Sequence, residues 1–163
     1  MFMSTLTFAI QMETDGEQYY LKQAALNKGT SLQRAFLLLA ETEKKHADLL
    51  RKKDISSDSS ISDDILNAEQ TDLFSGKDDY KREAEVVPGQ LEVYAVALDM
   101  EQKSIDLYQK MLIEAKDKQV KQLMKFLVKQ EQDHFALFNE LITLLRRPKD
   151  WVENAEFGNR EEY

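Results

Sequence analysis

Apolar residues recur along this chain at intervals of three, four and seven, the period of one face of an α-helix. Four long stretches carry that period. From about Leu6 to Asn27 the stripe is Leu6, Ala9, Ile10, Glu13, Tyr20, Leu21 and Ala24. Lys28-Gly29-Thr30-Ser31 then breaks the pattern, with Gly29 suited to a left-handed cap and Ser31 to the N-cap of the next helix. From about Leu32 to Lys53 the stripe is Phe36, Leu39, Ala40, Glu43, His46, Ala47 and Leu50. So short a link predicts that these two helices are antiparallel neighbours. A third stretch, about Leu91 to Ala115, carries Tyr94, Ala97, Leu98, Glu101, Ile105, Tyr108 and Leu112. A fourth, about Gln119 to Leu145, carries Met124, Leu127, Val128, Glu131, His134, Phe135, Phe138 and Ile142. Lys116-Asp117-Lys118 is the turn between them.

The segment from Asp54 to Gly89 has no such period. It opens on the polar tract Asp54-Ile55-Ser56-Ser57-Asp58-Ser59-Ser60, allows a short helix around Asp63–Ala68, and closes on Pro88-Gly89. A loop this long inside one domain needs a reason. Helices of about 25 residues run about 37 Å, and a crossover along the length of a bundle supplies the reason better than a regulatory tract. The expected architecture is therefore an all-α four-helix bundle over residues 1–146, with a 54–89 crossover between the second and third helices. Pro148, Trp151 and Phe157 predict that the tail, 147–163, docks on the bundle.

Composition narrows the chemistry. The chain has 163 residues, one ordinary domain, with only five Gly and two Pro, which favours long helices over a turn-rich β fold. With no cysteine there are no disulfides, thiolate zinc sites, iron–sulfur clusters or cysteine nucleophiles. The net charge of −8 argues against a basic nucleic-acid face. No apolar run is long enough to span a bilayer. The start, Met1 to Ile10, lacks a basic n-region and a small-residue cleavage site, so a soluble, cytoplasmic protein without membrane or nucleic-acid partners is expected.

A carboxylate interrupts every apolar stripe: Glu13, Glu43, Glu101 and Glu131. Burying one unpaired carboxylate is costly, and four at matching depth require a shared compensating charge. Both histidines of the chain lie three residues after one of these carboxylates, in Glu43-x-x-His46 and Glu131-x-x-His134. Residues three apart on a helix point the same way. The shift that carries Glu13 onto Glu101 also carries Met12 onto Met100, Ala9 onto Ala97, Tyr20 onto Tyr108 and Leu39 onto Leu127. Two halves thus repeat one pattern. One Glu from each of two helices and a Glu-x-x-His from each of the others is the ligand set of dinuclear carboxylate bundles. Two divalent ions would balance the four carboxylates, which account for half of the net −8. Mixed nitrogen and oxygen ligands suit iron or manganese and accept zinc; iron is preferred because a redox-active pair explains a carboxylate-rich, cysteine-free site. Tyr20 and Tyr108 each lie two turns after a carboxylate, where a phenol can donate a hydrogen bond that orients a metal ligand.

At these residues the chain resembles the rubrerythrin-like branch of the ferritin-like di-iron-carboxylate superfamily, from about Leu6 to Leu145. The carrying motifs are Glu13 with Tyr20, Glu43-x-x-His46, Glu101 with Tyr108, and Glu131-x-x-His134. The tail Trp151-Val152-Glu153-Asn154-Ala155-Glu156-Phe157 also looks like an ending seen in that branch. The resemblance implies a ferritin-like bundle, a di-iron site ligated by those six residues with Glu43 and Glu131 as bridges, and reduction of hydrogen peroxide. Two departures stand out. Classical members carry a rubredoxin-like domain with four cysteines that supplies electrons, and this chain has no cysteine, so an external donor protein is expected. Classical members also carry an extra Glu near the third-helix ligand, whereas Leu98 and Ser104 flank Glu101 at three residues on either side.

The expected function is a di-iron oxidoreductase acting on hydrogen peroxide or O2, working as a homodimer. A ferroxidase or iron-handling protein, and a bundle stapled by a redox-silent ion, are the alternatives.

Overall fold

The structure, a computed structural model, describes residues 4–55 and 89–146. Four helices account for nearly all of them: α1 (Thr5–Leu26), α2 (Ser31–Ile55), α3 (Gln90–Glu114) and α4 (Lys118–Arg146). Each lies within two residues of the stretch that the apolar period marks out. The described residues contain no strand, so the all-α bundle expected from sequence is observed.

The ends are set by local chemistry. Ser4 caps α1, its side chain accepting from the Thr7 amide at 3.0 Å. Gly29 adopts φ 85°, the left-handed conformation expected of it. The α2 cap differs from expectation by one residue. Ser31 is the first helical residue, and Thr30 Oγ1 instead accepts from the Gln33 amide at 3.3 Å. Threonine and serine cap by the same chemistry, so sequence alone did not discriminate between adjacent hydroxyls. Asp117 caps α4 through the Gln119 amide at 2.8 Å.

Helix directions follow from four contacts. The Tyr20 hydroxyl reaches Glu101 while the Tyr108 hydroxyl reaches Glu13. The earlier residue of α1 thus faces the later one of α3, so the two helices are antiparallel. Gln90, at the start of α3, donates to Asn27 beside the α1–α2 turn at 3.3 Å. Lys53, near the end of α2, meets Asp117 of the α3–α4 turn at 3.1 Å. The end of α2 and the start of α3 therefore lie at opposite ends of the bundle, as a crossover requires. The connecting residues 56–88, including the short helix expected at Asp63–Ala68, lie outside the described residues, as does the tail 147–163 with Trp151 and Phe157.

Two apolar clusters fill the interior. One gathers Tyr20, Phe36, Leu39, Tyr94, Leu137 and Phe138; the other gathers Ala9, Leu50, Tyr108, Leu123, Met124 and Leu127. In the first, Phe138 stacks on Tyr20 at 5.8 Å and on Phe36 at 6.4 Å, and meets Tyr94 at 5.9 Å. Most stripe residues are inward, but Leu21 is 39% exposed. It sits next to Tyr20, whose large ring takes the core-facing position, and a helix turns about 100° per residue. Phe138→Ala removes the ring shared by three aromatic neighbours. The expected loss is about 3–5 kcal/mol of folding free energy, measured by urea denaturation of metal-loaded protein.

Candidate metal centre

Between the two apolar clusters lie the polar residues of the stripes. Glu13, Glu43, Glu101 and Glu131 are each at most 3% exposed, and His46 and His134 are fully buried. One helix supplies each carboxylate, and α2 and α4 each supply a histidine from the same face. All six expected ligands thus come together, as do Tyr20 and Tyr108.

They form two groups. Glu13, Glu43, His46 and Glu131 offer ligand atoms that all lie within 4.8 Å of one another, and so do Glu43, Glu101, Glu131 and His134. Glu43 and Glu131 belong to both groups. His46 Nδ1 lies 3.5 Å from Glu43 Oε2 and 3.0 Å from Glu131 Oε1. His134 Nδ1 lies 2.9 Å from Glu43 Oε1 and 3.4 Å from Glu131 Oε2. Each shared carboxylate therefore presents one oxygen to each group. Glu13 Oε2, 3.5 Å from His46, completes the first, and Glu101 Oε1, 3.4 Å from His134, completes the second.

These separations are short, yet neither Nδ1 makes a hydrogen bond, and Glu13 Oε2, Glu43 Oε1 and both Glu131 oxygens have no hydrogen-bond partner. The atoms are close without being aimed as donor and acceptor. Buried polar atoms are rarely left in that state. Ligands of one ion show this geometry: two atoms about 2.1 Å from a metal sit about 3.0 Å apart at a right angle and about 3.4 Å apart at the tetrahedral angle. The donor set, one imidazole and three carboxylates per group, fits divalent ions that favour mixed nitrogen and oxygen ligation.

The tyrosines steady the outer carboxylates. Tyr20 Oη donates to Glu101 Oε1, and Tyr108 Oη to Glu13 Oε1, so each half of the chain holds a carboxylate of the other. Burial, with the nearby carboxylates, pushes both phenols well above their ordinary pKa, so they remain donors. The far nitrogens of the histidines have no hydrogen-bond partner. Packing orients His46 instead, with Phe126 edge-on at 6.1 Å.

In the metal-free protein the charges rearrange. Burial and then the Glu43 charge raise Glu13 from 4.5 to about 8. Burial and then the Glu131 charge raise Glu101 from 4.5 to about 8. Burial and Glu13 push Glu131 upward too, but the influence of Glu101 and of the two histidines outweighs them and leaves it below its ordinary value. Burial alone would lower His46 and His134. The carboxylates around each outweigh burial and hold both well above 6.5. Protons thus do in the metal-free protein what cations would do in the loaded one.

A cavity of about 310 Å³ between α1 and α3 reaches Glu43 and Glu101. Gly16, Tyr19 and Ser104 line it; the sequence places Ser104 three residues after Glu101 but does not reveal a cavity there or the part of Gly16 and Tyr19 in it. Two signals were available: an isolated glycine inside a strong helix, and two small residues each three positions after an outer carboxylate.

Stability should depend on pH with a sign set by these shifts. From about pH 5 to about pH 8 the folded metal-free chain holds protons on Glu13 and Glu101, and above about pH 6.5 also on the histidines, that the unfolded chain has released, so stability falls as pH rises. Divalent metal must displace those protons, so its stabilisation grows over the same range. Thermal melts with and without metal across that range check both slopes.

Comparison with known proteins agrees with this geometry. No curated protein and no solved structure matches the chain. The rubrerythrin family model matches residues 4–142, which span all four helices almost completely. The chain belongs to the rubrerythrin family.

Proposed function

We propose that the protein is a di-iron oxidoreductase that reduces hydrogen peroxide with electrons from a separate donor protein. The observation that carries this reading is the pair of four-residue groups sharing Glu43 and Glu131. Glu13 and His46 would hold one ion and Glu101 and His134 the other, with Glu43 and Glu131 contributing to both. When bound, two ferrous ions supply the two electrons that peroxide reduction takes and stabilise the charge that develops on its oxygens. Iron is favoured over zinc because this chemistry needs a metal that changes oxidation state.

The chain's own residues set the conditions. Near-complete burial keeps bulk water from competing for the ligands and strengthens every charge interaction at the site. The phenols of Tyr108 and Tyr20 hold the carboxylates of Glu13 and Glu101 in orientation. Those phenols keep their protons and hold orientation through the cycle. The cavity reaches Glu43 and Glu101, so an oxidant can approach from the α1–α3 side without unfolding the bundle. The chain has no cysteine to house an electron-transfer centre of the rubredoxin kind, which is why the donor is assigned to another protein.

Anaerobic protein loaded with two ferrous ions per chain should be oxidised by one equivalent of hydrogen peroxide, with diferric absorption in the near ultraviolet. Glu43→Ala should abolish the paired spectrum. Full metal loading with no oxidation by peroxide would remove the reading.

A further inference from the structure

The α1–α3 cavity is large for hydrogen peroxide. Its volume of about 310 Å³ falls at the lower end of pockets that take small organic ligands, about 300–1,000 Å³. A water occupies about 30 Å³ of liquid, and peroxide has only two heavy atoms.

The walls are asymmetric in chemistry. The floor is Glu43 and Glu101, which belong to one metal group. Met12 and Met100 lie on facing helices and give a soft, adaptable apolar surface. Tyr19 adds a ring whose orientation is fixed, because its hydroxyl donates to the Val93 carbonyl at 2.9 Å. The rim charges are engaged along their own helices. Asp15 accepts from Gln11 at 2.8 Å, and Lys103 pairs with Asp99 at 2.9 Å.

Two small residues keep the space open. Gly16 packs against Glu43: a Cβ there would lie 3.5 Å from Glu43 Cγ, so any longer side chain would press on the carboxylate or enter the cavity. A glycine inside a helix costs about 1 kcal/mol relative to alanine, a cost that the open space explains. Ser104 stands at the equivalent position after Glu101 and lines the same cavity.

The geometry points to an organic hydroperoxide as substrate, its O–O end at Glu43 and Glu101 and its apolar group against Met12, Met100 and Tyr19. This inference rests on the peroxide reading above and names the substrate class. The reaction takes ROOH, two protons and one electron from each of two ferrous ions. The O–O bond breaks, and the products are ROH, water and two ferric ions.

Two measurements test it. Cumyl alcohol, the unreactive product of cumene hydroperoxide, is titrated into zinc-loaded protein while the methionine methyl resonances are followed. Saturable shifts at Met12 and Met100 are expected, and unmoved signals would overturn the cavity assignment whether or not peroxide reacts. Separately, diferrous protein is mixed with cumene hydroperoxide and with hydrogen peroxide. Ser104→Leu should cut the ratio of the two rates by about tenfold or more. An unchanged ratio in a folded, metal-loaded variant would overturn the proposal. Should that variant not fold, the alcohol titration on the unaltered chain still decides. Failure of both peroxides to oxidise the iron, with the alcohol bound, would overturn the proposed reaction while keeping an apolar ligand site.

Discussion

Four carboxylates converge in the middle of this bundle, and their mutual repulsion has to be met by positive charge before the helices can close. At separations of a few ångströms in a medium poorer than water, like charges repel strongly. Two histidines alone do not balance four carboxylates. The metal-free chain answers by holding protons on Glu13 and Glu101 and on both imidazoles. Two divalent cations would neutralise the four carboxylates and release those protons. Stability, metal affinity and pH dependence are therefore one linked property of this chain.

The fold is arranged around that constraint. Apolar clusters seal the site on both sides, so the charged layer is confined to the middle of the helices. The antiparallel setting of α1 and α3 places Tyr20 on Glu101 and Tyr108 on Glu13, which ties the two helical hairpins together across their less intimate contact. The same looser seam leaves room for the cavity beside Glu43 and Glu101. Access and rigidity thus come from one interface, with reciprocal phenol–carboxylate bonds beside an opening kept by Gly16 and Ser104.

The helices and the buried Glu/His cluster were legible because both are written in helical period. Glu43 and His46, or Glu131 and His134, must share a face once the helix is granted, and the repeat of Glu13–Tyr20 as Glu101–Tyr108 tied the halves together. Less could be read where the outcome depends on neighbours in space. Leu21 follows the apolar spacing yet faces out because Tyr20 fills the inward position. Thr30 and Ser31 carry equivalent hydroxyls, and only the path of the turn chooses Thr30 as the cap. The cavity is a property of two helices together, and neither Gly16 nor Ser104 declares it alone.

The central claim is that these six side chains form one dinuclear site with Glu43 and Glu131 shared. A crystal structure of the iron-loaded protein, with anomalous scattering recorded at the iron edge, tests it most directly. The account predicts two anomalous peaks per chain, about 3.5–4 Å apart. One should lie on His46 Nδ1 and the other on His134 Nδ1, each touching one oxygen of Glu43 and one of Glu131. A single peak, or iron bound away from these residues while the interior carboxylates keep their protons, would contradict it.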